Sequence, residues 1–392
     1  MVLIRQFWLI LLNVVYLAAC LVPKNRRLWL FGAWNGRQYS DNSKYLFQYV
    51  LENEPCVEAY WCAQDKALFE SMKEAGLPVF HAFSLKGMWL QARAGAVAYS
   101  HAAAWDFCAC CLGHRTRRIQ LWHGLPLKRI GLDDVRTAPG PASRALTKWL
   151  TPYRTERFDF MIACGEEDKA IYQSAFHAAA ERILITGFPR NDRLAVACRD
   201  PGARPTRILY LPTFRGQPGS DFPLFAASGF DADQVDAWLG ANNLSFTFKL
   251  HPVNHLSFLD QDRFANCRNI GRLEPGIDIY EKLTDYDIFI TDFSSIYFDF
   301  LVTNKPILLA PIGMPSYLSQ DRGGFYFDFA ELAPGPAITE WDGLFDRVLQ
   351  LRADPGPNEH YRRLQTRFHR YRDGMASRRI VEAMRRLLFS RP

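Results

Sequence analysis

Two histidines stand where apolar stretches end, and their placement suggests proton-transfer chemistry. His123 ends the stretch IQLWH (119–123), and His251 ends SFTFKLH (245–251). Both stretches predict buried β-strands, and in open parallel α/β sheets ligands bind beyond the carboxyl ends of the strands. Histidine titrates near neutral pH and therefore suits general acid or base catalysis. One strand-end histidine is more often structural, whereas one in each half of the chain favours a functional site.

A second group of polar residues follows the strand-like stretch DIFIT (287–291). Asp292, Ser294 and Ser295 lie just before an apolar run that predicts a helix, as capping residues do. Backbone N–H groups and hydroxyls at a helix start also bind phosphate. The sequence leaves two roles open for these residues, a helix cap alone or an anion site.

Basic residues surround His123. Lys128 and Arg129 follow it, and three arginines at 115, 117 and 118 precede its strand. Cationic donors stabilise the negative charge of a phosphoryl group during transfer. These residues predict contacts to phosphate, and the alternative is a solvated loop.

Several common site types are not supported. The chain has no G-x-G-x-x-G, no P-loop and no G-x-S-x-G motif, so it indicates neither a dehydrogenase, a P-loop enzyme nor an α/β-hydrolase. Cys108, Cys110 and Cys111 crowd together near His101 and His114, but no second cysteine pair lies at zinc-finger spacing. No metal and no cofactor is therefore predicted. Nine scattered cysteines indicate a reducing compartment, the cytosol.

The elements that position these residues alternate between short apolar runs and helical stretches. This pattern predicts an α/β fold with parallel sheets covered on both faces. The chain of 392 residues exceeds the size of a single core, and the stretch CRDPGARPT (198–206) reads as a linker. We predict two Rossmann-like domains facing across a cleft, an N-terminal one at 24–200 and a C-terminal one at 206–375.

Both ends of the chain suggest a charged or lipid surface. Residues 360–392 hold ten arginines against two acidic residues, which favours an anionic partner or a solvated helix face. Residues 1–23 are strongly apolar, and their stretch 7–22 is short for a membrane span. We expect a helix in the inner membrane surface with Lys24, Arg26 and Arg27 beside the headgroups. A signal sequence and a buried first helix are the alternatives, and 376–392 is expected to form a basic helix.

Several stretches together resemble one known family. They are YSDNSKYLFQYV (39–50), WHGLPLKRIG (122–131), GFPRND (187–192), YLPTFR (210–215), FKLHP (248–252), TDFSSIYFDF (291–300), DRGGFYFDF (321–329) with PGP (334–336), and DGMASRRI (373–380). In this order they resemble the CDP-glycerol glycerophosphotransferases of teichoic-acid and capsule synthesis. The resemblance extends over nearly the whole chain from 29 to 380.

The resemblance implies a GT-B-like fold and transfer of glycerol phosphate or ribitol phosphate from CDP-glycerol or CDP-ribitol to a hydroxyl, with release of CMP. It implies that His123 and His251 are the catalytic pair and that Asp292, Ser294 and Ser295 belong to the donor-binding motif. Further substrate contacts are expected at Gly124, Lys128, Arg129, Arg190, Asn191, Thr213, Arg215 and Lys249.

We assign His123 as the general base and His251 to the attacked phosphate, although the sequence gives no distances and the two roles can be exchanged. The expected acceptor is a phosphopolyol or glycan polymer, and the expected location is the cytoplasmic face of the bacterial cell membrane, as a peripheral protein. No nucleic-acid partner is expected. We expect no extra N-terminal acceptor-recognition region of the kind that some larger members have, and primase, single-unit transferase and polymerase stay open. Two other functions also stay open: a nucleotide-sugar glycosyltransferase or epimerase, and a polyanion-binding membrane protein without catalysis.

Overall fold

The fold is taken from a computed structural model, which describes residues 2–136, 140–196, 204–213, 225, 229–250, 263–274, 276–292, 294–312, 324–338 and 340–390. The chain divides into two compact units. The first comprises Met1–Gly124, Gly131–Asp192 and Arg370–Pro392, and the second comprises Leu125–Ile130 and Arg193–His369.

The first unit is built on a seven-stranded sheet in the order β3-β2-β1-β4-β5-β6-β7, with every neighbouring pair parallel. Its strands are β1 (Asn25–Gly32), β2 (Glu58–Ala63), β3 (Val79–His81), β4 (Ala94–Tyr99), β5 (Arg117–Gln120), β6 (Phe160–Ala163) and β7 (Ile183–Ile185). The central strand β4 is buried along its whole length, as expected when helices cover both faces. Gly95 is needed in β4 because a Cβ there would lie 2.4 Å from the Asn25 carbonyl oxygen of β1.

The second unit is built on a five-stranded parallel sheet in the order β10-β9-β8-β11-β12. Its strands are β8 (Thr206–Leu211), β9 (Leu244–Phe248), β10 (Ile270–Arg272), β11 (Ile288–Thr291) and β12 (Ile307–Leu309). An aromatic cluster fills one side of this sheet, where Tyr210, Phe225, Phe230 and Trp341 are all at least nine-tenths buried.

The two strand orders share a property that matters for function. In each sheet the first strand lies in the interior of the sheet and the chain then adds strands outward on both sides, as in Rossmann folds. The order reverses between β1 and β4 in the first unit and between β8 and β11 in the second. Ligands bind at such switch points, beyond the carboxyl ends of the strands. The predicted α/β fold with parallel sheets is confirmed.

The helices follow the strands in both units. In chain order they are α1 (Val2–Leu21), α2 (Asp41–Asn53), α3 (Lys66–Glu74), α4 (Leu85–Arg93), α5 (Ala103–Asp106), α6 (Pro141–Leu150), α7 (Glu166–Phe176), α8 (Asp192–Val196), α9 (Ala232–Ala241), α10 (Ile296–Phe300), α11 (Phe329–Leu332), α12 (Trp341–Ala353), α13 (Glu359–Phe368) and α14 (Ala376–Phe389).

Helix α1 packs on the first unit through one face. The Asn13 side-chain amide donates to the carbonyls of Leu9 at 2.8 Å and of Leu150 at 3.0 Å, and Ala19 is buried. Lys24, expected beside lipid headgroups, instead donates through Nζ to the carbonyl of Ala19 at 3.0 Å and lies half-buried. None of the described helices has the length and apolarity to cross a membrane.

Helix α14 also packs on the first unit, although the sequence places it after the second domain. The Asp192 carboxylate accepts the N–H groups of Ala376 at 2.8 Å and of Ser377 at 2.9 Å. Arg385 forms an ion pair with the carboxylate of Glu54, whose side chain is 7% exposed. The basic C-terminal segment is thus an amphipathic helix whose apolar side is buried and whose arginines are in part used within the protein.

Candidate active site

The switch point of the first unit gathers aromatic and imidazole rings. Trp34 follows β1, His101 follows β4, and His123 follows β5. The rings of His101 and His123 are stacked, with centroids 4.4 Å apart and an interplanar angle of 6°. Trp34 lies 4.5 Å from the His101 ring, and Trp122 lies 4.4 Å from the His123 ring. The parallel sheet therefore brings together four rings that the chain separates by about a quarter of its length.

One hydrogen bond fixes which nitrogen of His123 carries a hydrogen. Nδ1 lies 3.1 Å from the carbonyl oxygen of Ser100. Because a carbonyl only accepts, Nδ1 must donate, and in the neutral ring the lone pair then resides on Nε2. Burial lowers the pKa of His123, against the opposing effects of the Asp41 carboxylate and this hydrogen bond. The ring is therefore neutral at neutral pH and able to accept a proton at Nε2.

The stacked partner is neutral as well. Burial and, to a smaller extent, the neighbouring His123 lower the pKa of His101 to about 3. Gln120 joins the loops that carry both rings. Its amide donates to the His101 carbonyl at 2.6 Å and its oxygen accepts the Trp122 N–H at 3.0 Å. Two uncharged imidazoles can stack closely, whereas two cations would repel each other.

A buried ion pair holds the His123 backbone. Arg190 Nη1 donates to Asp41 Oδ1 at 2.8 Å and to the carbonyl of His123 at 3.0 Å. The side chains of Arg190 and Asp41 are 4% and 5% exposed. Asn42 adds two bonds from its side-chain amide to the carbonyls of Leu121 at 3.1 Å and Trp122 at 3.0 Å. Residues at the start of α2 thus hold the backbone segment that carries His123 in place.

The backbone around His123 adopts uncommon conformations. Trp122 has φ 51° and Gly124 has φ 134°. The first value lies in the left-handed region that large side chains rarely adopt, and the second is accessible to glycine and strained for other residues. Tyr172 holds the turn by donating its hydroxyl to the Gly124 carbonyl at 3.3 Å. Gly124 therefore serves the shape of the turn, and direct substrate binding by it stays a prediction.

A buried carboxyl ties two of the switch-point loops together. Asp106 accepts the N–H of Asn35 at 2.8 Å and the N–H of His101 at 3.2 Å. Burial raises the pKa of Asp106 to about 7, although both amide bonds act to lower it. This carboxyl positions the loops that carry Trp34 and His101.

Lys128 and Arg129 belong to the second unit, although only a few residues separate them from His123. Lys128 pairs with Phe325 in an isolated antiparallel bridge, and the Arg129 N–H donates to the Gly324 carbonyl at 3.0 Å. The Tyr326 N–H donates to the Leu127 carbonyl at 3.0 Å. The structure thus ties the segment Leu125–Ile130 to residues 324–326, and contact of these two cations with phosphate stays a prediction.

The switch point of the second unit joins Thr213 and Asp292. The buried Asp292 carboxylate accepts the Thr213 N–H at 2.8 Å, which links the end of β8 to the end of β11. The Thr213 hydroxyl is buried and makes no hydrogen bond within the described part of the chain. A polar atom in that situation is a candidate ligand contact.

The helix-start prediction is met only in part. Ser295 is the N-cap residue of α10, but its side chain makes no capping bond, and Ser294 Oγ accepts the Ile296 N–H at 3.4 Å. At the end of β9, burial lowers the pKa of Lys249, against the attraction of Asp278. His251 and Arg215, the predicted second histidine and a predicted substrate contact, lie outside the described residues.

Arg190 and Asn191 lie in a short 3-10 turn, Pro189–Asn191, and both are buried. Arg190 donates to the Asp41 carboxylate and to the His123 carbonyl, so its position indicates that it holds the His123 backbone in place. The sequence prediction missed Asp41, Asn42 and His101 as site residues. His101 ends a strand-like stretch just as His123 does, so the same strand-end rule would have identified it.

The chain matches a known family and several characterised proteins. The family model described as "CDP-Glycerol:Poly(glycerophosphate) glycerophosphotransferase" matches residues 14–386. The "Teichoic acid glycerol-phosphate transferase" of Staphylococcus aureus (strain NCTC 8325 / PS 47) is 26% identical over 390 residues, which cover 92% of this chain and 93% of that protein. The "Teichoic acid poly(glycerol phosphate) polymerase" of Bacillus subtilis (strain 168) is 28% identical over 358 residues, covering 86% of this chain and 45% of that protein.

A solved structure supports the fold. The wall teichoic acid polymerase TagF superposes with a TM-score of 0.74 at 22% sequence identity, covering 98% of this chain and 96% of that chain. At this identity the match carries the fold alone. The GT-B-like class predicted from the sequence is confirmed.

Proposed function

The chain belongs to the CDP-glycerol:poly(glycerophosphate) glycerophosphotransferase family, and from this we propose that it transfers glycerol phosphate from CDP-glycerol to a hydroxyl of a teichoic-acid-like or capsular polymer. Ribitol phosphate from CDP-ribitol is the alternative cargo. The geometry of His123 carries the proposal, because it supplies a neutral base at the switch point of a Rossmann-like sheet.

The reaction requires one proton to be moved. An acceptor hydroxyl attacks the phosphorus atom that bears the glycerol, the new P–O bond forms, and the P–O bond to CMP breaks. The hydroxyl is a poor nucleophile until its proton is removed. With Nδ1 held as a donor by the Ser100 carbonyl, Nε2 of His123 takes this proton, and CMP leaves with the electron pair.

The surroundings of His123 support this role. Burial keeps its pKa low, so the ring is in its basic form at neutral pH, and the neutral His101 ring fixes its orientation by stacking. Arg190 and Asn42 hold the backbone on both sides. A base held in position by surrounding contacts loses little entropy when the substrate binds.

The second unit supplies the candidate donor site. The link between Asp292 and Thr213 holds two strand ends together at its switch point, and the buried Thr213 hydroxyl is available to a ligand. We propose that the CDP moiety binds beyond the carboxyl ends of β8 and β11, with Ser294, Ser295 and Lys249 as further contacts, and that His251 acts on the transferred phosphate.

Product analysis tests the proposal. Purified protein is supplied with CDP-glycerol or CDP-ribitol and a short phosphopolyol acceptor, and CMP release is measured together with acceptor mass. We expect His123→Asn to lower kcat by ~10²–10⁴, the usual contribution of a general base. His114→Asn is the matched control, because His114 is exposed on the same unit. Full activity of His123→Asn, or turnover with UDP-sugars alone, would contradict the assignment.

We also propose that the protein attaches to the cytoplasmic membrane surface through the outer face of α1. Six large apolar residues of α1 are exposed: Trp8, Ile10, Leu11, Val14, Leu17 and Leu21. Asn13 joins α1 to the end of α6, where Leu146 and Trp149 are 56% and 80% exposed. Contiguous exposed apolar patches of this kind mark membrane or protein contacts.

Vesicle flotation tests the attachment. We expect binding to vesicles that contain phosphatidylglycerol, and loss of binding when Leu17→Glu and Trp149→Glu are combined. Met375→Glu changes an exposed apolar residue outside this patch and serves as the control. If the double variant floats as well as the unaltered protein, the α1 face is not the attachment site.

A further inference from the structure

Three cysteine side chains converge beside α1, on the first unit and apart from the histidine pair. Cys108 Sγ lies 3.6 Å from the sulfurs of both Cys110 and Cys111. All three sulfurs lie within 4.8 Å of one another, and all three residues are free thiols. Among the described residues this is the one cluster with metal-ligand geometry.

A tight turn produces the cluster. Residues Ala109–Cys111 form one turn of 3-10 helix, closed by a bond from the Cys111 N–H to the Cys108 carbonyl at 2.8 Å. Side chains three residues apart lie on the same side of such a helix. Cys108 and Cys111 are three residues apart, so their sulfurs meet. The Cys108 N–H also donates to Gln91 Oε1 at 2.7 Å, which anchors the start of the turn.

The sulfur spacing matches a metal site. A zinc ion binds thiolates at about 2.3 Å in tetrahedral geometry, and this places neighbouring sulfurs about 3.8 Å apart. The two distances of 3.6 Å lie close to this value. A disulfide needs sulfurs at about 2.05 Å. We propose that Cys108, Cys110 and Cys111 bind a thiophilic divalent cation of the zinc class.

The surroundings fit a three-thiolate site with one side open to solvent. Cys110 and Cys111 are 5% and 3% exposed, whereas Cys108 is partly exposed. Three protein ligands leave one position of a tetrahedral ion for an external ligand, and Cys108 marks the side from which that ligand arrives. On binding, three S–H bonds are replaced by three sulfur–metal bonds and three protons pass to solvent, with no change of oxidation state.

The site also has a structural consequence. Leu12, Val15 and Tyr16 of α1 pack against the cysteine turn and against Tyr153. A bound ion crosslinks the turn on which this face of α1 rests. The ion therefore stabilises the surface on which α1 packs.

Zinc retention tests the site on the full chain. Reduced, metal-stripped protein is mixed with Zn²⁺, passed through a desalting column and assayed for zinc by mass spectrometry. We expect one zinc per chain, and none in the variant with Cys108→Ser, Cys110→Ser and Cys111→Ser. Cys56→Ser changes an exposed cysteine outside the cluster and should keep the full zinc content.

Thiol alkylation provides a second measurement that needs no variant. In the unaltered protein, zinc should protect the partly exposed Cys108 thiol from iodoacetamide while exposed Cys56 still reacts. Hydrogen exchange of α1 should slow when zinc is present. The proposal is overturned if the reduced protein retains no zinc, if the triple variant retains as much, or if the Cys108 thiol reacts equally with and without the ion. Unchanged exchange of α1 with zinc bound would overturn this stabilising role.

Discussion

The ion pair between Asp41 and Arg190 is buried so deeply that breaking it should unfold the first unit well below its normal melting temperature. Asp41→Asn keeps the shape of the side chain and leaves Arg190 as a buried cation without its carboxylate. The two atoms are 2.8 Å apart and both side chains are at least 95% buried. Breaking such a pair from one side costs ~3–5 kcal/mol. For a unit of this size each kcal/mol lowers Tm by about 2–4 °C, so we expect a decrease of about 6–20 °C.

The backbone does not confound this test. Asp41 has φ 67°, a region that asparagine adopts as readily as aspartate. Thermal scanning and urea unfolding give the free-energy change. Glu382→Gln is the control, because it breaks the pair of Arg378 and Glu382 at 3.0 Å, whose side chains are 61% and 47% exposed. Exposed pairs at this spacing contribute ~0.3–0.5 kcal/mol, so its Tm should hardly move.

The reasoning is refuted if Asp41→Asn costs less than about 1 kcal/mol, the value of an exposed pair. Arg190→Met separates the two roles that have been considered for Arg190. If Arg190 supports His123, the variant loses stability and kcat together, because the His123 carbonyl loses its donor. If Arg190 binds the donor phosphate directly, KM for the CDP donor rises as well; stability falls in either case, because Asp41 is left as a buried carboxylate without Arg190.

Three further results are expected. The acid limb of kcat/KM should lie below pH ~6.5, because burial lowers the pKa of His123 and the neutral base persists to lower pH; a pH–rate profile with its midpoint above that value would contradict the assignment. His101→Phe keeps the ring stack and removes a group whose pKa falls to about 3. As the pH falls from ~6.5 to about 3, the unfolded state of the unaltered protein binds a proton on His101 that the folded state does not, so its free energy of unfolding should decrease relative to that of the variant. If urea unfolding shows the same pH dependence of stability for both proteins across that range, His101 is not a buried neutral ring. Asp292→Ala should leave the Thr213 N–H without its acceptor and cost ~1–3 kcal/mol in the unfolding of the second unit, together with a raised KM for the CDP donor; unchanged stability and KM would remove Asp292 from the site.

Much of the fold was predictable from hydrophobic pattern. Each strand that is buried on both faces, such as β4 or β11, is a continuous apolar run, and such runs are easily recognised. The edge strand β10 was missed, because only Ile270 of its three residues is buried and the run is too short to stand out. The hydrophobic pattern of the sequence therefore identifies central strands better than edge strands.

The placement of candidate site residues was predictable where it depends on position along a strand. His123 follows this rule, and so does Asp292 at the end of β11. The partners of His123 could not be derived in this way. Asp41, Asn42 and Ser100 reach it from other strands and helices, and only the closed sheet decides which polar residues meet. Lys24 shows the same limit, since its two carbonyl acceptors come from α1 and from the end of α4.

The boundaries of the two units depend on contacts between distant parts of the chain. The sequence suggests one linker at 198–206 and two successive domains. In the structure the chain passes between units at Gly124, Ile130, Asp192 and His369. The six residues Leu125–Ile130 belong to the second unit, but nothing in their composition indicates this. Helix α14 belongs to the first unit because it contacts residues such as Glu54 and Asp192, which are distant in the sequence.

The interleaved path has a consequence for how the protein folds during synthesis. The first unit cannot be completed when its last strand leaves the ribosome, because α14 is made only after the whole second unit. Until then Asp192 lacks the N–H groups of Ala376 and Ser377, and the apolar surface that α14 covers is open to water. A nascent chain in this state exposes apolar surface for the time needed to make about 180 residues, which at ~5–20 residues per second is roughly 9–36 s. Chaperone dependence and fragment insolubility should therefore concentrate in the first half of the protein, and dividing the chain at its apparent linker should not give an independently stable N-terminal piece.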